Sequence, residues 1–316
     1  MKKILVTGAL GHIGSRLIRD LPEILKKTKI TMVDNFITQR FSSLFNLKKK
    51  SKYKFCEIDV VLNKLELEKI IQKNDIVIHL AAITDAANSF KNSKLVEKNN
   101  LNATKIIANI CTKQKKKLIF ISSTSVYGTQ KKTVDENCKK NELRPQSPYA
   151  VTKLKEEKVI KSFVKKEKLK AIICRFGTIY GFSPGIRFHT AVNKFCFQAV
   201  FNQPITIWKT AFNQKRPYLD LKDAVNAIAF IIKKNIFDGE IYNILTENLT
   251  VKQVINAIRK NIKKTKIKYV SNQIMNQLSY EVLNKKFKDK GYIFKGNFQK
   301  SITKIINTLI NSNNLN

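Results

Sequence analysis

Along the first half of the chain, short apolar runs alternate with longer stretches in which apolar residues recur at helical spacing. The runs at 3–7, 30–34, 53–57, 75–80, 117–122 and 170–175 have the length of β-strands. Several are apolar throughout rather than alternating, the pattern of a strand covered on both faces. The stretches at 12 to about 20, 62–72, 89–112 and 148–167 read as helices between them. Such alternation predicts an α/β fold with a parallel sheet and right-handed crossovers.

After Arg175 the rhythm changes. Residues 177–185 read as loop, 190–201 as helix, 205–208 as a short strand, 223–234 as helix and 240–245 as one more buried strand. Segments 251–262 and 266–270 and a last helix near 298–309 cap the molecule. The expected organisation is a nucleotide-binding domain of residues 1–176 plus 217–246. A smaller, mostly C-terminal substrate-binding domain takes 177–216 plus 247–316.

Composition narrows the classes. The 316 residues are 43% hydrophobic, ordinary for a soluble domain, and no apolar run reaches the length of a membrane span. The apolar start at 4–6 breaks at once into glycines, so it reads as a strand entering a turn rather than a leader. Five scattered cysteines without a CxxC pair argue against a disulfide framework or a metal site, and for a reducing cytoplasm. The formal charge of +37 invites a nucleic-acid partner, yet only eight of the sixty basic residues are Arg. The lysines of 48–50 and 115–117 lack interleaved aromatics, and their excess follows the Asn- and Ile-rich pattern of AT-rich codons. They read as solvated surface, with no nucleic acid and no membrane expected as partner.

The first strand runs into Thr7-Gly8-Ala9-Leu10-Gly11-His12-Ile13-Gly14 and then a helix. Glycines there permit a tight turn and let backbone N–H groups approach a pyrophosphate at the positive helix end. Asp34 ends the second run twenty residues after Gly14, where a carboxylate accepts ribose hydroxyls and repels a 2′-phosphate. That points to NAD on a Rossmann doubly wound sheet. Asp59 and Val60 follow the third strand, suited to adenine. Leu80, Ala81 and Ala82 follow the fourth, where small residues admit the cofactor closely. His79, inside an apolar run, reads as a core histidine.

Hydride removal from an alcohol needs a base for the hydroxyl proton, and a tyrosine beside a cation can serve. Tyr and Lys four apart share a helix face. Three such pairs occur: Tyr127/Lys131, Tyr149/Lys153 and Tyr218/Lys222. Only Tyr149, after Ser147-Pro148, opens a long helix. It lies downstream of a hydroxyl cluster, residues 122–125, at the end of the fifth strand, which in a parallel sheet faces the cofactor crevice.

In order, these residues resemble the extended short-chain dehydrogenase/reductases, in particular the NAD-dependent epimerase/dehydratase family of nucleotide-sugar enzymes. The resemblance rests on the glycine turn, Val33-Asp34-Asn35, His79-Leu80-Ala81-Ala82, the stretch from Ser122 to Gly128 and Tyr149-Ala150-Val151-Thr152-Lys153. It continues through 175–181, 216–223 and Ile241-Tyr242-Asn243-Ile244. It implies Ser123 as hydroxyl partner, Tyr149 as base, and Lys153 as holder of the nicotinamide ribose. It also implies Asn100 behind the site, Arg216 on the substrate phosphates, and Thr84, Thr124, Thr178 and Asn193 as further substrate contacts.

The departures matter as much. The family's 4,6-dehydratases carry an Asp-Glu pair after the catalytic Ser or Thr, where this chain has Thr124 and Ser125. Its decarboxylases carry Glu at the position of Ser125. Thr178 replaces an Asn common in epimerases, and Phe182 a Pro. The resemblance therefore implies a nucleotide-sugar epimerase working by transient oxidation at C4, or a nucleotide-sugar dehydrogenase or reductase with net NAD(H) turnover. A reading of another class is a non-catalytic dinucleotide fold that binds RNA or protein. A homodimer through 89–112 and 148–167 is also implied.

Overall fold

The computed structural model describes residues 1–49, 51–84, 88–90, 92–128, 130, 133–271 and 280–313. Seven strands form one parallel sheet: β1 (Lys2–Thr7), β2 (Thr28–Asp34), β3 (Lys52–Glu57), β4 (Ile76–His79), β5 (Lys117–Ser123), β6 (Ala171–Phe176) and, late in the chain, β10 (Ile241–Ile244). Their order is β10-β6-β5-β4-β1-β2-β3. The chain winds one way from β1 to β3 and the other way from β4 onward. The reversal falls between β1 and β4, whose ends pair Thr7 with His79, and it opens a crevice at the carboxyl ends of these strands.

Both faces of the sheet are covered. Ile4, Val6, Ile30, Met32, Ile76 and Ile78 point to one core, under α1 (His12–Leu25) and α6 (Leu221–Lys234). Leu5, Val33, Val77, Leu118 and Phe120 point to the other, under α2 (Lys64–Gln72), α3 (Ser93–Lys113) and α4 (Pro148–Glu167). Alternate residues bury on opposite sides, which is why these strands read as continuous apolar runs.

Beyond β6 a second unit forms. Thr178–Tyr180 is a strand (β7), not the loop expected from its sequence. It pairs in parallel with β9 (Lys215–Asp220), which pairs antiparallel with β11 (Glu247–Thr250). Within β9, Tyr218 faces the core of this unit and Leu219 the core of the large sheet, so the strand stitches the two together. A separate parallel pair joins β8 (Ile205–Trp208) to β12 (Ile267–Val270). Helices α5 (Ala191–Val200), α7 (Val251–Arg259) and α9 (Phe298–Asn313) enclose the third core. The short α8 (Lys285–Lys288) packs back on β10 through Phe287 and Tyr242.

Candidate active site

The glycine turn between β1 and α1 is fixed by sterics. Gly8 has φ +66°, and a Cβ there would lie 2.7 Å from the Ala81 nitrogen. A Cβ on Gly14 would meet the carbonyl oxygens of Gly8 at 2.4 Å and Ala9 at 2.6 Å. Gly11 caps α1 without a side-chain hydrogen bond, and the first turn carries no acid, so the positive helix end is suited to an anion. Ile13 lies in that first turn. The His12 ring turns elsewhere: Nδ1 is 2.9 Å from Ser183 Oγ and Nε2 3.4 Å from Asn193 Nδ2. Burial, with Arg187 and Arg40 nearby, lowers the imidazole pKa to about 3, so it is neutral and serves as a tether.

At the neighbouring strand ends, Asp34 accepts the N–H groups of Leu10 at 3.0 Å and Phe36 at 3.2 Å. Burial raises its pKa, with those backbone donors opposing. Asn35 donates to Asp59 at 2.7 Å, and the other oxygen of Asp59 accepts from Val61 and Leu62. Burial pushes the Asp59 carboxyl up, but these bonds outweigh it and hold it below the usual range. Val60 beside it is buried among apolar side chains. Leu80, Ala81 and Ala82 are half-buried along the rim of the crevice. Behind them Asn100 exchanges two 2.9 Å hydrogen bonds with the backbone of Ile83, fixing this wall from α3. A tight glycine turn, an open helix end and an acid fixed by backbone donors together fit a dinucleotide. His79 is a core residue as its sequence context implied, 2.8 Å from Thr7 Oγ1.

The catalytic candidates lie on β5 and at the start of α4, at the carboxyl end of the sheet. Ser123 ends β5, and its Oγ accepts the Ser125 N–H at 3.2 Å and the Ser125 hydroxyl at 2.9 Å. Thr124 is buried, donating to the Phe176 carbonyl at 3.3 Å. The turn Thr124–Tyr127 packs against α4. Ser147 caps that helix by accepting the Ala150 N–H at 3.1 Å, and Pro148 begins it. This start places Tyr149 and Lys153 one turn apart, with Lys153 Nζ 5.9 Å from the Tyr149 ring centre and 4.9 Å from that of Phe120. Burial pushes the Tyr149 phenol up, Lys153 pulls it down, Glu156 pushes it up and Arg187 pulls it down, leaving it above the ordinary value. The rival pairs fall away: Tyr127 is buried and donates to Asn243 at 2.9 Å. Lys131 lies outside the described residues, and Tyr218 and Lys222 sit on different elements.

Of the expected substrate contacts, Thr178 is half-buried on β7 opposite Tyr218, and Arg216 lies on β9 opposite Leu249. Asn193 is fully buried, accepting from the Gly181 N–H at 3.3 Å and donating to the Arg187 carbonyl at 3.1 Å. It acts by holding the loop that carries Arg187. Thr84 accepts a hydrogen bond from the Arg187 guanidinium. Sequence reasoning missed Arg187, which lies in the β7–α5 loop and bears electrostatically on Tyr149; its signal was one of only eight arginines in a lysine-rich chain. It also missed two acids on α4. Glu157 makes a buried bidentate pair with Arg175, at 2.9 and 2.7 Å, and takes the Ser122 hydroxyl at 2.5 Å. Glu156 contacts Lys153. Among the described residues no group of His, Cys, Asp or Glu is placed to hold a metal ion, and no helix is long and apolar enough to cross a membrane.

Comparison with known proteins shows the family and the fold. The family model described as "NAD dependent epimerase/dehydratase family" matches residues 4–244. A dTDP-D-glucose 4,6-dehydratase of Dictyostelium discoideum is 34% identical over 274 residues, covering 81% of this chain and 62% of that protein. The Bacillus subtilis protein called uncharacterized UDP-glucose epimerase YtcB is 31% identical over 264 residues, covering 81% of each. The crystal structure of UDP-glucuronic acid 4-epimerase from Bacillus cereus with UDP-glucuronic acid and NAD superposes with a TM-score of 0.85 at 27% identity, covering 98% of this chain and 99% of that one. The chain spans about half to three-fifths of the length of the first curated relatives it matches, 62% and 46%.

Proposed function

This chain belongs to the NAD-dependent epimerase/dehydratase family, and from that premise we propose that it is an NAD-dependent nucleotide-sugar 4-epimerase. The observation that carries the reading is the site around Ser123. A hydroxyl, a tyrosine and a lysine stand at the carboxyl end of the sheet, and the two positions after Ser123 hold Thr124 and Ser125, neither of them an acid. Dehydration needs a group to protonate a leaving hydroxyl, and hydroxyls bound to the Phe176 carbonyl and to Ser123 do not supply one. This departs from the acid pair that the resemblance implies for the family's dehydratases.

Ser123 hydrogen-bonds the sugar 4-hydroxyl and Tyr149 removes its proton. Bound in the crevice, NAD would supply the acceptor for the C4 hydride and the donor that returns it to the opposite face. Between these events the 4-keto sugar turns over in the pocket, and Tyr149 keeps the proton and gives it back to the same oxygen. Lys153 holds the nicotinamide ribose and favours the ionised form of Tyr149. Arg216 binds the substrate's phosphates, which suits a guanidinium fork. A surface of net charge +37 raises the local concentration of an anionic nucleotide. In the same reading the protein is cytoplasmic and a homodimer through α3 and α4, where Leu95 and Val151 are exposed.

An epimerase returns its cofactor to the starting state each turn and has no need to release it. Denaturing the purified protein and identifying released nucleotide by mass spectrometry tests this. Near-stoichiometric NAD+ or NADH is expected. An empty protein that binds added NAD reversibly points to net dehydrogenase or reductase turnover, and no binding at all points to the non-catalytic reading.

A further inference from the structure

One turn after Lys153, α4 carries Glu156, and both side chains are buried, 5% and 1% exposed. Lys153 Nζ lies 3.2 Å from one Glu156 oxygen and 3.4 Å from the other. From α3, the Thr104 hydroxyl donates to the same carboxylate at 2.6 Å. Removing two charges from water is costly, so a buried ion pair is a poor way to gain stability alone. The adjacent acid, Glu157, is already matched by Arg175 and Ser122. Glu156 is therefore the carboxylate bound directly to the lysine that serves Tyr149.

We propose that Glu156 is a positioning residue of the Tyr149–Lys153 pair: it fixes the ammonium of Lys153 from the α3 side and counters its charge, so that Tyr149 faces a neutralised lysine and not a bare cation. The inference rests on the catalytic roles assigned above to Tyr149 and Lys153. The charged and titratable neighbours can be enumerated. On α4 stand Tyr149, Lys153, Glu156 and Glu157. On β6 stands Arg175, held by Glu157. His79 on β4 is neutral, its pKa lowered by burial and by Lys153 to about 3. Arg187 approaches from the β7–α5 loop. Thr104, Ser122 and Ser123 bring hydroxyls only. With Arg175 and Glu157 cancelling, Lys153 and Arg187 would leave two positive charges beside Tyr149, and Glu156 reduces them to one. The consequence is a base that ionises at higher pH than the Tyr-Lys pair would by itself.

The test is an ultraviolet titration of tyrosinate on the NAD+-saturated protein, with Tyr149→Phe identifying the transition that belongs to Tyr149. Glu156→Gln keeps an acceptor for Thr104 and removes the charge; it should move that transition down by about one pH unit. Glu156→Asp keeps the charge and should leave the transition close to the wild type. Should the Gln variant fail to fold, Glu156→Met removes the charge with a side chain of similar volume and should give the same downward shift. An unmoved or upward-shifted transition in the charge-removing variant overturns the proposal. The titration uses neither substrate nor turnover, so its result is independent of whether the protein proves to be an epimerase.

Discussion

The hydroxyl of Tyr53 on β3 donates to the carbonyl of Ile18 on α1 at 3.0 Å, and that carbonyl is the one Pro22 leaves without a helical donor. A proline inside a helix removes the bond from its own nitrogen to the carbonyl four residues back. The helical pattern in the sequence ends near residue 20, yet α1 runs through Pro22 to Leu25, and a neighbouring strand satisfies the orphan. Tyr53→Phe should cost about 1–2 kcal/mol of stability by chemical denaturation. In a Pro22→Ala background, where a backbone N–H can take over, the same change should cost less. Equal costs in both backgrounds would show that the bond does not compensate for the proline.

Tyr149→Phe removes the hydroxyl of the proposed base and leaves the ring that packs beside Lys153. Turnover should fall by at least about 100-fold, the scale of a lost general base. Melting temperature and NAD affinity should stay near the wild type. Turnover within a few-fold of the wild type would remove Tyr149 from the chemistry.

Asp34→Asn keeps an oxygen for one of the two N–H groups the carboxylate now holds and removes the charge proposed to repel a 2′-phosphate. The preference for NAD over NADP, measured as a ratio of Kd values, should drop by about tenfold or more. An unchanged ratio would mean that another group selects the cofactor.

His79 gives a pH signature. Burial, then Lys153, lowers its folded pKa to about 3, against about 6.5 in an unfolded chain. Between these values the unfolded state binds a proton that the folded state refuses, so this contribution to stability is lost as pH falls from about 6.5 toward 3. In His79→Asn the slope of unfolding free energy against pH between 5 and 6 should become shallower by about 1 kcal/mol per pH unit. Parallel slopes would mean that His79 is protonated in the fold.

What could be read from the sequence was what local chemistry decides. Strands β1, β2, β4, β5 and β6 are covered on both faces over most of their length and so read as apolar runs, whereas β3, at the sheet edge, alternates. The start of α4 is set by Ser147 and Pro148 within three residues of Tyr149, so its Tyr-Lys pair could be singled out from two decoys. β7, β9 and β11 were less legible because their identity comes from pairing: Thr178 finds Tyr218, and Arg216 finds Leu249, across long stretches of chain. Asn193 and His12 carried the right residue types for a site, but the fold turns their side chains toward each other and toward Ser183. Glu156 was hidden for the opposite reason. An acid three residues from a lysine on a lysine-rich helix resembles an ordinary surface pair, and only the packing of α3 against α4 makes it a buried one.

In the proposed reaction the hydride leaves C4 and returns to it, and no bond of the sugar breaks other than C4–H and O4–H. UDP- and dTDP-linked hexoses and uronic acids incubated with the protein in deuterated water, followed by NMR of the products, test it directly. A C4 epimer with no deuterium bound to carbon and no accumulation of NADH is expected. A 4-keto-6-deoxy product carrying solvent deuterium, or an oxidised product formed in step with NADH, would contradict it.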